Sequence, residues 1–141
     1  IYLYNNELVL DQEIYQTWLF SSEIISLYKN AGIQSHQEIF ADSADPKSIE
    51  EIRRWWFNIQ PAKKWADSIM FWIDIMKQYK INITARSSET IKEFRKYSWK
   101  IDKNWKSTNV PIDCFNHAID AIRYWCMMKL KKPVFFDITI W

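Results

Sequence analysis

Hydrophobic and polar positions follow two different periods along the chain, and each period predicts a type of secondary structure. Within residues 1–10, β-forming side chains flank the pair Asn5-Asn6, a pattern that predicts a strand, a tight turn and a second strand. From Ser21 to about Asn30 the apolar positions recur with a helical period, and Gly32 follows as the expected helix C-cap. The chain is therefore expected to begin with a hairpin followed by a helix.

The same two patterns alternate through the remaining residues. Predicted strands cover residues 37–41, 58–62 and 81–84, and predicted helices cover about 46–54, 67–78, 89–95 and 117–130. The segment at residues 97–100 leads into a tight turn at residues 102–106. Because strands alternate with helices, we predict an α/β fold with a mixed sheet flanked by helices.

Length and composition indicate one domain. The 141 residues, 48% of them hydrophobic, are enough for one substantial core and too few for two ordinary domains. We therefore assign residues 1–141 to a single domain. The chain opens on an apolar segment without a basic leader, which predicts a piece of a longer protein rather than a signal peptide.

Charge and cysteine content exclude several classes of function. The 19 Lys and Arg residues against 17 Asp and Glu leave a net charge of +2, so contact with nucleic acid must come from a local patch. The apolar runs are far shorter than the ~20 residues of a membrane span, so no membrane partner is expected. Cys114 and Cys126 lack the spacing of a zinc site or a disulfide framework, which favours a reducing compartment.

Polar residues in two places are the candidates for catalysis. Asp42 follows an apolar run and is expected at the carboxyl end of a buried strand, where open α/β sheets place their sites. Asp45 either assists Asp42 or caps the next helix, and capping is favoured because Asp is common at helix starts. His117 and Asp120 are three residues apart and share one helical face. Taken singly, a core histidine and a solvated carboxylate are the favoured interpretations of these two residues.

The two candidate positions are more informative together. A strand-end carboxylate that faces a helix-borne carboxylate is how hydrolases hold two divalent ions ~3.5–4 Å apart, where the ions activate water and stabilise the leaving oxygen of a phosphodiester. Carboxylate oxygens favour Mg²⁺ or Mn²⁺ over softer metals. The pattern therefore predicts a two-metal hydrolytic site that contains Asp42 and Asp120.

A group of basic residues lies near the first candidate in sequence. Lys63 and Lys64 directly follow a predicted strand, and Lys47, Arg53 and Arg54 belong to the preceding predicted helix. Side chains of this type bind DNA phosphates, and a solvated charged face is the alternative interpretation. The aromatic residues are expected mainly in the core rather than as platforms for base stacking.

Two motifs resemble the nuclease domain of the phage terminase large-subunit family. They are Ala41-Asp42-Ser43-Ala44-Asp45-Pro46-Lys47-Ser48-Ile49 and Asn116-His117-Ala118-Ile119-Asp120-Ala121-Ile122-Arg123-Tyr124. Between them, Pro61-Ala62-Lys63-Lys64 and Tyr97-Ser98-Trp99-Lys100 stand in the order that the family has. The similarity extends from about Tyr2 to Met128, nearly the whole chain.

The resemblance implies an RNase H-like fold and a nuclease that cuts concatemeric double-stranded DNA with two Mg²⁺ or Mn²⁺ ions. Asp42 and Asp120 match metal-binding aspartates of the family, and His117 matches a histidine beside the metals. Asp45 falls where the family usually has Glu or Asp. The resemblance also implies an ATPase domain in the parent chain, the portal protein and the small terminase subunit as partners, and action in the host cytoplasm.

The chain departs from the family by lacking two parts. The family's first strand carries a further catalytic Asp and precedes the segment that matches Ile1, so we expect a sheet without its first strand and an incomplete acidic cluster. The Gly-x-x-x-x-Gly-Lys-Ser/Thr phosphate loop of the ATPase half is absent from the sequence. The isolated chain is therefore expected to cleave DNA weakly or not at all.

Tryptophan stands where the family carries glycine. A chain of this length ordinarily contains about ten glycines, whereas this one has one Gly and nine Trp. The family's glycine positions hold Trp18, Trp56, Trp65, Trp72 and Trp105. We expect strain at the turn that contains Trp105 and at Trp56 beyond a helix end, since both places favour the positive φ of glycine. The two hypotheses are a deliberately altered protein and a sequence in which glycines are written as tryptophan.

Two other functions stay open at this point. Another RNase H-like nuclease, such as a junction resolvase or a transposase core, is the alternative among enzymes. A DNA-binding or portal-docking module that has lost catalysis is the alternative without activity, and such a module need not bind metal at the acidic face.

Overall fold

The computed structural model describes residues 1–63 and 68–130, in which strands and helices alternate as predicted. The strands are β1 (Tyr2–Tyr4), β2 (Glu7–Leu10), β3 (Glu38–Ala41), β4 (Asn58–Pro61), β5 (Ile81–Ile83), β6 (Trp99–Ile101) and β7 (Ser107–Pro111). The helices are α1 (Ser21–Asn30), α2 (Pro46–Arg54), α3 (Ser68–Met76), α4 (Ser88–Lys96) and α5 (His117–Lys129). The α/β class is confirmed. No helix among the described residues is long and apolar enough to cross a membrane.

The strands of the described residues form three small sheets rather than one continuous mixed sheet. β2 lies between β1, its antiparallel partner, and β5, its parallel partner. β3 and β4 form a parallel pair, and β6 and β7 form an antiparallel hairpin. Mixed strand directions, as predicted, occur within the first sheet. Neither strand of the hairpin was predicted, because the sequence pattern indicated only the segment at residues 97–100 and the turn at residues 102–106.

Two clusters of buried hydrophobic residues hold these elements together. The first core joins β2, α3 and α5, and its fully buried members include Leu8 and Trp72. The second core joins α1, α2 and β4 through residues that include Ile25, Ile52 and Ile59. The apolar faces of these helices and strands therefore pack into two neighbouring cores.

The two cores meet along β3 and α5. The helix contributes Ile122 and Cys126 to the first core, whereas the strand packs Ile39 and Ala41 against the second. Direct contact between α5 and β3 places the cores side by side. The strand that leads to Asp42 and the helix that carries Asp120 thus belong to different cores.

Local hydrogen bonds explain where α1 and α2 begin and end. Glu23 accepts a hydrogen bond from the backbone N–H of Phe20 at the start of α1, 2.7 Å away. At the start of α2, Asp45 accepts a hydrogen bond from the N–H of Ser48 at 3.1 Å. Ala31 is the C-cap of α1, and Gly32, predicted as the cap, is the next residue, with the left-handed φ of +72° that is common just beyond helix ends.

Three tryptophans adopt the left-handed backbone conformation that favours glycine, and for two of them, Trp56 and Trp105, this was predicted. Trp18, Trp56 and Trp105 have φ values of 62°, 67° and 61°. Trp56 directly follows the C-cap of α2, and Trp105 closes the turn between β6 and β7. Trp72 differs, because it lies inside α3 and is fully buried. Trp65 lies outside the described residues.

Candidate metal site

Asp42 lies immediately beyond β3, at the carboxyl end of the β3-β4 pair, as predicted, although β3 is partly exposed rather than buried. Its Oδ1 accepts a hydrogen bond from the backbone N–H of Ala44 at 2.8 Å. Its Oδ2 accepts a hydrogen bond from the hydroxyl of Tyr124 at 2.9 Å. The second contact joins the end of β3 to α5, although the two residues are 82 positions apart in sequence.

Asp120 lies in the first turn of α5 and pairs with a buried arginine. The Nε and Nη2 atoms of Arg123 donate hydrogen bonds to Oδ1 of Asp120 at 3.2 and 2.9 Å. The Asp120 side chain is 30% exposed, whereas that of Arg123 is 5% exposed. The guanidinium carbon of Arg123 lies 4.7 Å from the centroid of the Tyr124 ring.

Tyr124 relates the two aspartates to each other. It follows Asp120 by four residues, so the two side chains share a face of α5 and are separated by about 6 Å along the helix axis. The hydroxyl of Tyr124 contacts Asp42. Asp120 therefore lies on the face of α5 that carries Tyr124, and Asp42 contacts that face from the end of β3.

The candidate carboxylates do not form a complete set of metal ligands among the residues described. Within residues 1–63 and 68–130, no group of three or more His, Cys, Asp or Glu side chains is placed to hold a metal ion. The structure therefore presents two separate candidate ligands near α5.

Asp45 caps α2, as the favoured interpretation had it. Its carboxylate accepts the N–H of Ser48, and hydrogen bonds from the side chain and backbone of Ser48 hold the pKa of Asp45 below its usual value. A carboxylate engaged with the helix start has less capacity to bind an ion. The structure thus gives Asp45 a local role that needs no metal.

His117 is the first residue of α5 and is exposed. It lines an open cavity of about 480 Å³, together with Tyr15, Tyr28, Ile39 and Ala118. The cavity lies where the chain after β2, the α1 and β3 region and the first turn of α5 come together. The imidazole therefore faces accessible space rather than the core, contrary to the interpretation of a buried structural histidine.

Glu93 on α4 is a residue that the sequence analysis missed. Its side chain is buried, with 3% of the residue exposed. Oε1 accepts the backbone N–H of His117 at 3.1 Å, and Oε2 accepts those of Ala118 and Ile119 at 2.7 and 3.3 Å. Asn116, the N-cap residue of α5, makes no side-chain capping hydrogen bond. No local signal indicates a capping residue that lies 24 positions before the helix.

Lys47 and Lys63 are exposed, and they flank the segment that contains Asp42 in the fold. Ala41 of β3 pairs with Pro61 of β4, and the N–H of Ala62 donates to the carbonyl of Ala41 at 2.8 Å. Lys63 therefore leaves the sheet at the same edge as Asp42. Lys64, the other base predicted there, lies outside the described residues.

Arg53 and Arg54 both interact with other groups of the protein. Arg53 donates to Glu50 through Nη1 and to the carbonyl of Ile59 through Nη2, both at 3.1 Å. Arg54 Nε lies 3.5 Å from Glu50. The predicted basic cluster therefore divides into two exposed lysines and two arginines with partners inside the protein.

Comparison with known proteins bears on the origin of this arrangement. A sequence model described as the terminase RNase H-like domain matches residues 1–127. The solved nuclease domain of g2p, the large terminase of bacteriophage SPP1, determined with bound Mn, is similar at a TM-score of 0.76 and 22% identity. That similarity covers 88% of this chain and 73% of the SPP1 chain. No curated protein matches the chain.

The family match extends over nearly all of the chain and includes both acidic motifs. The similarity to the SPP1 domain shows the same RNase H-like fold. It follows that the chain belongs to the terminase RNase H-like nuclease domain family.

Proposed function

We propose that this domain is the metal-dependent endonuclease module of a DNA-packaging terminase, which cuts concatemeric double-stranded DNA. The observation that carries the proposal is the hydrogen bond from Tyr124 to Asp42, which links the strand-end carboxylate to the helix of Asp120. Membership of the terminase family supports the same activity. The near-neutral chain agrees with a nuclease whose DNA contacts are local.

The donor set fits hard divalent ions. Asp42 and Asp120 offer carboxylate oxygens, which suit Mg²⁺ and Mn²⁺, and His117 offers an exposed imidazole nearby. The SPP1 domain was determined with bound Mn. When bound, a pair of such ions supplies an activated water and stabilises the leaving oxygen of a phosphodiester. We assign the third carboxylate of the site to the first strand of the family, in the parent chain.

Neighbouring side chains fix the orientation of the candidate ligands. Tyr124 orients Asp42 through its hydroxyl, and Arg123 orients Asp120 through two hydrogen bonds that both end on Oδ1. Arg123 is buried, so its guanidinium is held close to the carboxylate that it serves. Oriented ligands favour metal binding because less side-chain freedom is lost when the ion binds.

DNA is held in this proposal by the exposed lysines at the edge of the site. Lys63 emerges beside Asp42, and Lys47 lies in the first turn of α2. Their ammonium groups neutralise backbone phosphates and bring the duplex to the carboxylates. Lys64 and Arg53 complete the proposed set of DNA-binding residues. The parent chain would add the ATPase domain and contacts with the portal protein and small subunit, in the host cytoplasm.

Manganese binding to the purified chain tests the site directly. We expect calorimetric titration with Mn²⁺ to show binding that Asp42→Ala and Asp120→Ala each weaken by roughly tenfold or more. Asp74→Ala is the matched control, because Asp74 is an exposed carboxylate on α3 that pairs with Lys77. Equal binding by the native chain and the two site variants would overturn the assignment of both ligands.

Cleavage of plasmid DNA tests the activity. The described residues hold two of the proposed carboxylates, so we expect weak nicking with Mn²⁺ and less with Asp42→Ala. Robust cutting that this substitution leaves unchanged would refute the role of Asp42. The alternative function is an inactive DNA-binding or portal-docking module. DNA binding without any Mn²⁺ binding would support that alternative.

A further inference from the structure

We infer that Glu93 is a positioning residue for the proposed metal site, because its buried carboxylate fixes the start of the helix that carries His117 and Asp120. The expected effect on metal binding rests on the proposed function, whereas the contacts of Glu93 are those of the structure. Glu93 belongs to α4, and its contacts reach across to α5 and to the segment after β2. It therefore connects three parts of the chain beside the site.

The carboxylate of Glu93 has four hydrogen-bond donors around it. Three are the backbone N–H groups of His117, Ala118 and Ile119, at 2.7 to 3.3 Å. The fourth is the hydroxyl of Tyr15, 2.7 Å from Oε1. The first N–H groups of a helix have no partner within the helix and carry its positive dipole end, so a carboxylate is a strong acceptor for them.

This cap differs from a local one in what it fixes. A cap from the preceding residue moves with its helix, whereas a cap from another helix sets where α5 begins relative to α4. A shift of one residue along α5 would move Asp120 by about 1.5 Å. Metal–ligand distances tolerate only about 0.2 Å. A small displacement of the helix start is therefore enough to separate Asp120 from an ion held at Asp42.

Replacement by the isosteric amide isolates the effect of the charge. Glu93→Gln keeps the size of the side chain, but it replaces one acceptor oxygen by an NH₂ group, which is a donor and faces the backbone N–H donors. Glu89→Gln is the matched control, because Glu89 lies one turn earlier on α4, on the surface, and pairs with Lys92. We expect Glu93→Gln to weaken Mn²⁺ binding by roughly ten- to a hundredfold, and Glu89→Gln to leave it unchanged.

Two further measurements separate positioning from general loss of structure. Amide hydrogen exchange should accelerate at residues 117–119 in Glu93→Gln, while the amides of β3 and β4 keep their native protection. Paramagnetic broadening by Mn²⁺ should persist near Asp42 and fade near Asp120. If Glu93→Gln does not fold, Tyr15→Phe, which removes one donor to Glu93, is expected to produce the same pattern with smaller amplitude.

The outcomes distinguish this inference from the proposed function. Unchanged Mn²⁺ affinity and unchanged exchange at residues 117–119 in Glu93→Gln would overturn the role of Glu93 alone. Failure of the native chain to bind Mn²⁺ would remove the proposed site, and the positioning role with it. In that case accelerated exchange at the start of α5 would leave Glu93 as a purely structural cap.

A different observation carries a second inference: we propose that residues 18, 56 and 105 are glycine positions, encoded by a codon that the host reads as glycine. Trp18, Trp56 and Trp105 combine positive φ with exposures of 97%, 85% and 87%. A side chain with a Cβ disfavours this backbone conformation, and an exposed ring has little packing to offset the strain. Because UGA is read as tryptophan in some genetic codes and as glycine in others, a UGA codon would account for the exchange.

The nucleotide sequence of the gene decides the second inference. We expect UGA at the three positions and UGG at Trp99, which lies in β6 and packs against the first core. UGG at positions 18, 56 and 105 would overturn it. At the protein level, the triple replacement of these tryptophans by Gly should raise the melting temperature, whereas Trp99→Gly should lower it.

Discussion

The hydroxyl of Tyr124 is a single group on which the position of Asp42 depends. Tyr124 is buried, and its hydroxyl is 2.9 Å from Oδ2 of Asp42. Tyr124→Phe is expected to lower the free energy of unfolding by about 1 kcal/mol, because one hydrogen bond is lost and the ring stays packed. Chemical denaturation measures this change. Tyr4→Phe, at an exposed position on β1, is the control and should have no effect.

The strain at Trp105 gives a second prediction for a single residue. Trp105 closes the β6-β7 turn with a φ of 61° and is 87% exposed. Left-handed backbone costs an L-residue about 1–2 kcal/mol, which is absent for glycine. Trp105→Gly should therefore stabilise the protein by about 1 kcal/mol in chemical denaturation. A loss of stability would show that the indole makes contacts that outweigh the strain.

The two cysteines are expected to differ in reactivity. Burial raises the pKa of the Cys126 thiol to about 12, whereas Cys114 is exposed. Since the thiolate is the reactive form, an alkylating reagent at neutral pH should modify the native protein once, at Cys114. Mass spectrometry of the alkylated protein checks this result. Cys114→Ser should abolish native labelling, and Cys126→Ser should leave it intact.

Among the secondary structure elements, α2 depends on its cap. Asp45→Ala is expected to cost about 1 kcal/mol of stability, because the N–H of Ser48 loses its acceptor. Mn²⁺ affinity should remain at the native value if capping is the whole role of Asp45. Denaturation and calorimetry of this variant, beside Asp42→Ala, thus separate a cap from a metal ligand. Loss of Mn²⁺ binding in Asp45→Ala would contradict the capping interpretation.

The link between the segment after β2 and helices α4 and α5 is expected to weaken in alkali. The hydrogen bond to Glu93 is the main reason that the pKa of Tyr15 is raised to about 12 from its ordinary 10.0. A raised pKa means that this contribution to stability is complete below pH 10 and is lost as pH approaches 12. Melting temperatures across this window should fall less steeply in Tyr15→Phe than in the native chain or Tyr4→Phe.

Sequence patterns located most of these elements because their signals are local. The helix from Ser21 to Asn30 has an apolar period and a glycine beyond its end, and the structure gives these bounds. β7 escaped prediction, since the segment Ser107–Pro111 is mostly exposed and has no clear alternation of buried residues. The cap of α5 could not be predicted either, because Glu93 meets that helix only through the tertiary fold.

At the scale of the whole molecule, the sequence motifs indicated the candidate aspartates but not the contacts between the elements that carry them. Both aspartates followed from the motifs, and the helical spacing of Asp120 and Tyr124 was available in the sequence. That Tyr124 reaches Asp42 depends on how β3 packs against α5, which no local pattern encodes. The division of the strands among three sheets likewise arises from pairing between distant segments.

DNA binding by the whole domain should depend on individual lysines rather than on net charge. We expect Lys63→Ala to reduce the affinity for double-stranded DNA and to lower the slope of log K against log salt concentration by about 1. Fluorescence anisotropy at several salt concentrations measures both quantities. Lys80→Ala is the control, because Lys80 pairs with Glu7 at the first sheet. Equal salt slopes for the two variants would exclude a phosphate contact at Lys63.

Because the two aspartates lie at the boundary between the hydrophobic cores, ion binding at the proposed site would affect the stability of the whole domain. Asp42 follows a strand packed on one core, and Asp120 belongs to the helix that completes the other. An ion bound by both carboxylates would link the two cores in addition to the Tyr124–Asp42 hydrogen bond and the ion pair of Lys129 with Glu38. At a concentration a hundred times its dissociation constant, such a ligand adds about 2.7 kcal/mol to the folded state. In the proposed site, Mn²⁺ would therefore stabilise the folded domain by holding the two cores together.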